Sequence, residues 1–222
     1  MPRPPSVLVT GTDSGVGKTW VACALAGALR RGGRSIAAVK PVETGCDDKP
    51  TSLEDGVRLA QATGQRDPAR ALRRFRAPVA PALAAELEGG ALDLDELAAE
   101  IESLTGQVEL LLLEGTGGLM VPFGWDWTAI DLAQAFEATV LVVASDRLAS
   151  INHTLLTLGA LDFAGLRVAG VLLNAPATPD ATTGSNAAAI ARLSGIERVR
   201  AVPRAHQPDE AGPWLAEVTG WL

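Results

Sequence analysis

The chain has 222 residues, 47% of them hydrophobic, with a formal net charge of −7 and a sequence isoelectric point of about 4.9. That is enough apolar material for one domain of ordinary size, while the acidic balance excludes a general nucleic-acid surface, which needs clustered Lys and Arg. No apolar run approaches the ~18 residues of a membrane span, no signal-peptide pattern precedes the first apolar run, and Cys23 and Cys46 make no disulfide framework; a cytoplasmic protein is expected. Taken in chain order, short runs rich in Val, Leu and Ile predict strands over 6–11, 35–42, 108–115, 138–145, 167–175 and 198–203. Most are apolar on consecutive residues, as in strands buried on both faces. Helices are predicted over 17–30, 53–63, 93–105, 129–137, 151–163, 183–194 and 209–219. This alternation predicts a single α/β domain over 1–222, a mainly parallel sheet flanked by helices on both faces. The stretch 43–92 is the least regular and is expected to be an insertion of loops and a short helix over the sheet edge. Its "RALRRFR" run is expected to be a solvated face.

The segment "VTGTDSGVGKTW", Val9 to Trp20, stands between the first strand and the first helix. Strand, glycine-rich turn and helix are the context of a phosphate-binding loop of the P-loop NTPase type. Backbone N–H groups of Asp13, Ser14, Gly15, Val16 and Gly17 would face phosphate oxygens, with the positive end of the helix behind them. Lys18 would reach the β- and γ-phosphates and Thr19 would offer a hydroxyl to Mg²⁺. The first glycine of the strictest motif is replaced by Thr12, with Gly11 one residue earlier.

Two more strands bring charge to the same edge. "LLLLEGTGG", Leu110 to Gly118, carries Glu114 after its apolar run, a carboxylate suited to Mg²⁺ directly or through water. Gly115, Gly117 and Gly118, with Thr116 between them, leave room for a ligand near the backbone. "KPVETG" begins at Lys40, at the strand's carboxyl end, where ligands of open α/β sheets gather.

Together these pieces resemble dethiobiotin synthetase of biotin biosynthesis. The resemblance rests on "VTGTDSGVGKT" (9–19), "KPVETG" (40–45), "LLEGTGGLMVP" (112–122) and "SINHTLLT" (150–157), in order and spacing over about residues 7–175. It implies an ATP- and Mg²⁺-dependent ligase that closes a cyclic urea from 7,8-diaminononanoate and CO₂, through a carbamate and a carbamic–phosphoric anhydride. It implies catalytic roles for Lys18 and Lys40, and Mg²⁺ ligation by Thr19, Asp55 and Glu114. It places Asp13 to Thr19, Asp55, Glu114 to Gly117, Asn174, Ala175, Pro203, Arg204, Ala205 and Glu210 at the nucleotide, with Asn174 reading adenine. Thr12, Thr44, Gly118, Ser150, Ile151 and Asn152 fall at the organic substrate. The turn at Ser150 is expected to be a helix start capped by Ser150, which in the family binds the substrate carboxylate across a homodimer interface.

The sequence also departs from the family. Gly15 stands where some members carry Glu, Ala175 where some carry Asp, and the chain has no Tyr to present near the substrate tail; Asn186 is a candidate replacement by counting. The rival reading is a switch-type P-loop ATPase of the partitioning class. Its K-G-G-x-G-K-T loop would need a lysine where Asp13 stands. A GTPase would need an Asn-Lys-x-Asp base reader, which "LLNAPATPD" lacks, and the chain is expected to be too short to add a glutaminase domain.

Overall fold

The computed structural model describes residues 3–105, 108–204, 208 and 214–222. Six strands form one parallel sheet: β1 (Ser6–Gly11), β2 (Ile36–Val39), β5 (Leu110–Gly118), β6 (Thr139–Ser145), β7 (Val168–Asn174) and β8 (Val199–Val202), in the order β2-β5-β1-β6-β7-β8. Because every pairing is parallel, all six carboxyl ends lie on one edge. The loops after β1, β2, β5, β6, β7 and β8 therefore share a surface.

The continuous apolar runs arise because both faces of the sheet are covered. Side chains of a strand alternate between faces. Leu8, Leu111, Leu113, Val140, Val142, Val171 and Leu173 join one buried cluster, while Val7, Val9, Leu110, Leu112, Leu141, Val143 and Leu172 join the other. On the first face pack α4 (Leu94–Thr105), α5 (Ala129–Ala135), α6 (Ser150–Phe163) and α7 (Asn186–Ser194). On the second pack α1 (Lys18–Arg31), α2 (Asp55–Thr63) and α8 (Trp214–Thr219). Leu113 is fully buried, so trimming such a side chain to Ala costs about 2–5 kcal/mol in lost transfer energy and cavity. Local signals agree with these elements. Thr128 and Asp131 form a reciprocal capping box at α5, and Arg30 and Arg31 occupy the last turn of α1, where cations suit the helix dipole.

The predicted strand over 35–42 is two strands. β2 stops at Val39; after Lys40 and Pro41 the chain leaves the main sheet as β3 (Val42–Thr44), paired with β4 (Arg73–Phe75). Pro41 has no N–H to continue the ladder. The carbonyls of Lys40 and Pro41 instead accept the N–H groups of Leu72 and Arg73 at 3.1 and 3.0 Å. Stretch 43–92 is thus more regular than its composition suggests: it holds β3, α2, β4 and α3 (Pro81–Leu87), with α2 packed on α1 and β2. The arginines of "RALRRFR" are solvated only in part: Arg70 and Arg76 are exposed, while Arg73 and Arg74 are half-buried. Arg73 pairs with Glu100, Arg74 with Glu54 and Arg76 with Asp48. Among the described residues, no helix is long and apolar enough to cross a membrane.

Candidate active site at the carboxyl edge of the sheet

The loop after β1 turns through two residues with left-handed backbone, Gly15 (φ 69°) and Gly17 (φ 93°), the second standing at the N-cap of α1. Glycine adopts these angles without a Cβ clash. The loop then curls back on itself. Lys18 Nζ donates to the carbonyl of Asp13 at 3.1 Å, and a Cβ on Gly11 would meet that carbonyl at 2.8 Å and Nζ at 3.1 Å. The earlier glycine therefore serves the loop where Thr12 does not.

Beside the loop lies a compact buried charge cluster. Lys40 Nζ donates to Glu114 Oε1 at 2.8 Å, to Asp55 Oδ2 at 3.0 Å and to the carbonyl of Gly115 at 3.1 Å. Thr19 Oγ1 donates to Glu114 Oε1 at 2.7 Å. The cluster draws on four elements: Thr19 from α1, Lys40 from the end of β2, Asp55 from the start of α2 and Glu114 from β5. Burial disfavours the charged form of Lys40, but the carboxylates of Glu114 and Asp55 outweigh it and hold its pKa above the ordinary lysine value. Burial pushes the Glu114 carboxyl up, against the pull of Lys40. Burial also opposes ionisation of Asp55, yet Lys40 prevails and lowers its pKa. Lys18 has no such close partner. Burial, then the neighbouring charge of Lys40, bring its pKa down to about 8.

This donor set fits a divalent cation. Glu114 Oε2 is buried with no hydrogen-bond partner among the described residues, while its Oε1 is shared by Thr19 and Lys40. An orphaned carboxylate oxygen, a hydroxyl and a part-exposed Asp55 carboxylate are the hard oxygen ligands Mg²⁺ takes. Lys18 and Lys40 are moreover offset by Asp55 and Glu114, so a polyphosphate would need additional positive charge here.

Two cavities flank the loop. One, about 520 Å³, is lined by Gly15 and Gly17, Trp20 on α1, Arg147 after β6, and Asn174, Ala175, Pro203 and Arg204 after β7 and β8. Asn174 is tied to the loop, its Nδ2 donating to the carbonyl of Val16 at 2.7 Å. The other, about 610 Å³, lies between Thr12, Gly118 and the Leu119–Pro122 turn on one side, and His153, Leu156, Thr157 and Ala160 of α6 on the other. The first is suited to a nucleotide beside the loop. The second is an apolar trough leading away from it.

Other predicted residues lie less directly at these cavities. Ser150 is not the cap of α6. Ala149 holds that position with φ 74°, and Ser150 is the first helical residue, its hydroxyl turned back to the carbonyl of Ser145. The left-handed turn at Ala149 displaces the cap by one residue. Ile151 is half-buried, Asn152 is exposed, and neither lines either of these two cavities. Thr44 is half-buried at the end of β3, outside both linings. Thr116 spends its hydroxyl on the carbonyl of Val42. Asn186 cannot present its amide to a substrate tail: it is buried, and Nδ2 donates to Asp146 at 2.7 Å. Ala205 and Glu210 lie outside the described residues. Trp20 and Arg147 in the first cavity, and the α6 wall of the second, are not among the residues the sequence predicts at the site. The quoted "LMVP" and "NHTLLT" segments carried that wall as motif, without showing that they face each other.

Comparison with known proteins decides which P-loop family this is. Residues 5–211 match the family described as AAA domain. The ATP-dependent dethiobiotin synthetase BioD of Anaeromyxobacter dehalogenans is 41% identical over 208 residues, 92% of each chain. Those of Aquifex aeolicus and Mycobacterium avium are 38% and 42% identical, covering 89% and 87% of this chain and 88% and 85% of their own. The chain belongs to the dethiobiotin synthetase family. Among solved structures, the septum site-determining protein MinD of Pyrococcus horikoshii, complexed with Mg-ADP, aligns with a TM-score of 0.56 at 19% identity, covering 98% of this chain and 85% of its own. The cell division protein FtsY of Thermotoga maritima gives 0.56 at 18%, covering 99% and 69%. Those two likenesses are of fold. Against the switch-type ATPase reading, this dethiobiotin synthetase family member has Asp13 where a signature lysine would stand and draws its second lysine, Lys40, from another strand.

Proposed function

We propose that the protein is an ATP-dependent dethiobiotin synthetase, closing the ureido ring from 7,8-diaminononanoate and CO₂. The observation that carries this reading is the cluster of Lys18, Thr19, Lys40, Asp55 and Glu114 between a phosphate loop and an apolar trough. ATP lies with its triphosphate on the loop and its base in the cavity of Asn174 and Pro203. The diamine lies with its amines toward Lys40 and its chain along the trough.

One amine takes up CO₂ to form a carbamate. A carbamate oxygen attacks the γ-phosphorus of ATP and ADP leaves, giving the carbamic–phosphoric anhydride. The second amine attacks the carbonyl carbon, and phosphate leaves as the ring closes. Lys18 holds the phosphoryl oxygens and Lys40 the negative charge shared by carbamate and phosphoryl group. Such fixed charges act on the transition state in a dry site. The walls of the trough hold the amines in place, which is catalysis by positioning. Thr19, Asp55 and Glu114 are the residues that would hold Mg²⁺, which supplies charge neutralisation at the phosphates.

The working unit in this reading is a homodimer. Leu148, Leu156 and Phe163, on α6 and the turn before it, are 72%, 66% and 95% exposed, and Met120 at the trough is 63% exposed. Apolar surface of that kind is consistent with burial against a second copy, with the start of α6 serving the opposite site.

The test is ADP release with MgATP and bicarbonate, with and without 7,8-diaminononanoate. Release that depends on the diamine, with dethiobiotin formed, is expected. Turnover indifferent to the diamine would favour the switch-type ATPase.

A further inference from the structure

The site leaves one buried acid without a role. Glu43, within "KPVETG", is 8% exposed on β3, three residues after Lys40. Its Oε1 accepts the N–H of Asp55 at 2.6 Å and its Oε2 the N–H of Gly56 at 3.1 Å. These are first-turn donors of α2, which have no partner within their helix. The residue at the N-cap position, Glu54, does not satisfy them: its carboxylate pairs with Arg74 at 2.6 and 2.8 Å. Glu43 thus caps α2 from another element.

Glu43, Cys46 and Glu54 do bring their ligand atoms within 4.8 Å of one another, as a metal site would. Both carboxylates are already engaged, however, Glu43 by two N–H groups and Glu54 by Arg74. The group reads as a brace. Gly56 fixes the helix from the other side, since a Cβ there would stand 2.1 Å from the nitrogen of Ala71. The geometry closes a ring. Lys40 is joined through Pro41 and Val42 to Glu43, Glu43 holds the backbone of Asp55, and the Asp55 side chain returns to Lys40 at 3.0 Å.

We propose that Glu43 is a positioning residue for the reaction, holding the first turn of α2 so that the Asp55 carboxylate stands at Lys40 and at the cation site. The inference rests on the reading of Asp55 as a magnesium ligand given above. Partners that orient a ligand from behind alter metal affinity by about 10–100-fold when lost, so Glu43 should be felt in cation binding before it is felt elsewhere.

The experiment uses Mn²⁺ as a paramagnetic stand-in, titrated into the ADP-loaded protein and read by electron paramagnetic resonance, alongside steady-state kinetics. Glu43→Gln keeps the shape but turns an amide donor toward a backbone donor. It is expected to weaken Mn²⁺ binding about tenfold or more and to raise the Mg²⁺ needed for half-maximal turnover by the same factor, with the KM for the diamine within about twofold. Arg74→Gln loosens the same end of α2 through Glu54 and should lower the melting temperature without that shift. Combining Glu43→Gln with Asp55→Asn should bind Mn²⁺ no worse than Asp55→Asn alone, because the two act as one unit. Mn²⁺ affinity within about twofold of native in Glu43→Gln, while Asp55→Asn loses it, would overturn the role of Glu43 alone. An equal shift in Arg74→Gln would reduce the effect to general loosening and overturn it too. Unchanged affinity in Asp55→Asn would overturn the reading of Asp55 and this inference with it. Should Glu43→Gln not fold, amide exchange in the native protein decides: slow exchange at Asp55 and Gly56 supports the brace, and exchange as fast as in the exposed turn at Leu53 overturns it.

Discussion

Lys40 Nζ and Glu114 Oε1 stand 2.8 Å apart, with the two side chains only 3% and 0% exposed. Two opposite charges this deep depend on each other. Removing one leaves the other as an uncompensated buried charge, which costs about 3–5 kcal/mol.

Lys40→Met is therefore expected to fail twice. Its melting temperature should fall, and adding Glu114→Gln should restore part of it by removing the stranded charge. Turnover should drop at least about a hundredfold in either background, as when one charge-assisted contact is lost from a transition state. Lys18 still holds the nucleotide, so the Kd for ATP should stay within about fivefold. Calorimetry and steady-state kinetics on both variants check this. Turnover within a few-fold of native would remove Lys40 from the mechanism.

ATP binding should weaken as pH rises above 8. Lys18 titrates at about 8 in the nucleotide-free protein because burial and the Lys40 charge disfavour its ammonium form. Polyphosphate favours that form, so binding above pH 8 takes up a proton and the affinity falls toward tenfold per unit. The same shift sets the sign for stability. A lysine with a lowered folded pKa makes the nucleotide-free fold gain stability as pH climbs from about 8 toward the usual 10.5. Titration calorimetry in buffers of different ionisation enthalpy measures the proton uptake. Lys18→Arg, which stays charged, should flatten the profile.

Filling the trough should act on one substrate only. Ala160 lines it from α6, opposite the Leu119–Pro122 turn. Ala160→Phe should raise the KM for the diamine about tenfold or more while leaving the KM for ATP near native, since the nucleotide cavity lies on the other side of the loop. Equal effects on both substrates would place the diamine elsewhere.

Dimer formation is tested by mass in solution and by charge. A dimer at micromolar concentration is expected. Asn152 is exposed at the start of α6 and lines neither of the two cavities beside the phosphate loop. Asn152→Asp should nevertheless raise the KM for the diamine, because the new carboxylate would repel the substrate's own across the interface. A fully active monomer, or an unchanged KM, would refute this arrangement.

The phosphate loop, Lys40 and Glu114 were legible because strand, turn and helix signals surround them within a few residues. The main sheet was legible for a similar reason: a strand covered on both faces is apolar on consecutive residues, and Leu110 to Leu113 show it. β3 and β4 left no such trace. Three residues cannot show a period, and Arg73, Arg74 and Phe75 are half-buried. Ser150 looked like a cap by residue type, but the left-handed Ala149 before it takes the position. Asn186 had the right count and the wrong surroundings, since Asp146 holds it inside. Trp20 and Arg147 reach the cavity beside the phosphate loop from different elements, a meeting that only the folded chain displays.

A Cβ placed on Gly17 would stand 2.4 Å from Asn174 Nδ2. Residues 157 positions apart in the chain therefore occupy one volume between them. In a library of variants they should behave as a coupled pair: a side chain at 17 would have to turn the Asn174 amide away from the carbonyl of Val16, and it would also carry the strain of φ 93°. Any attempt to change the nucleotide preferred by this enzyme through position 174 begins with glycine at 17 held constant.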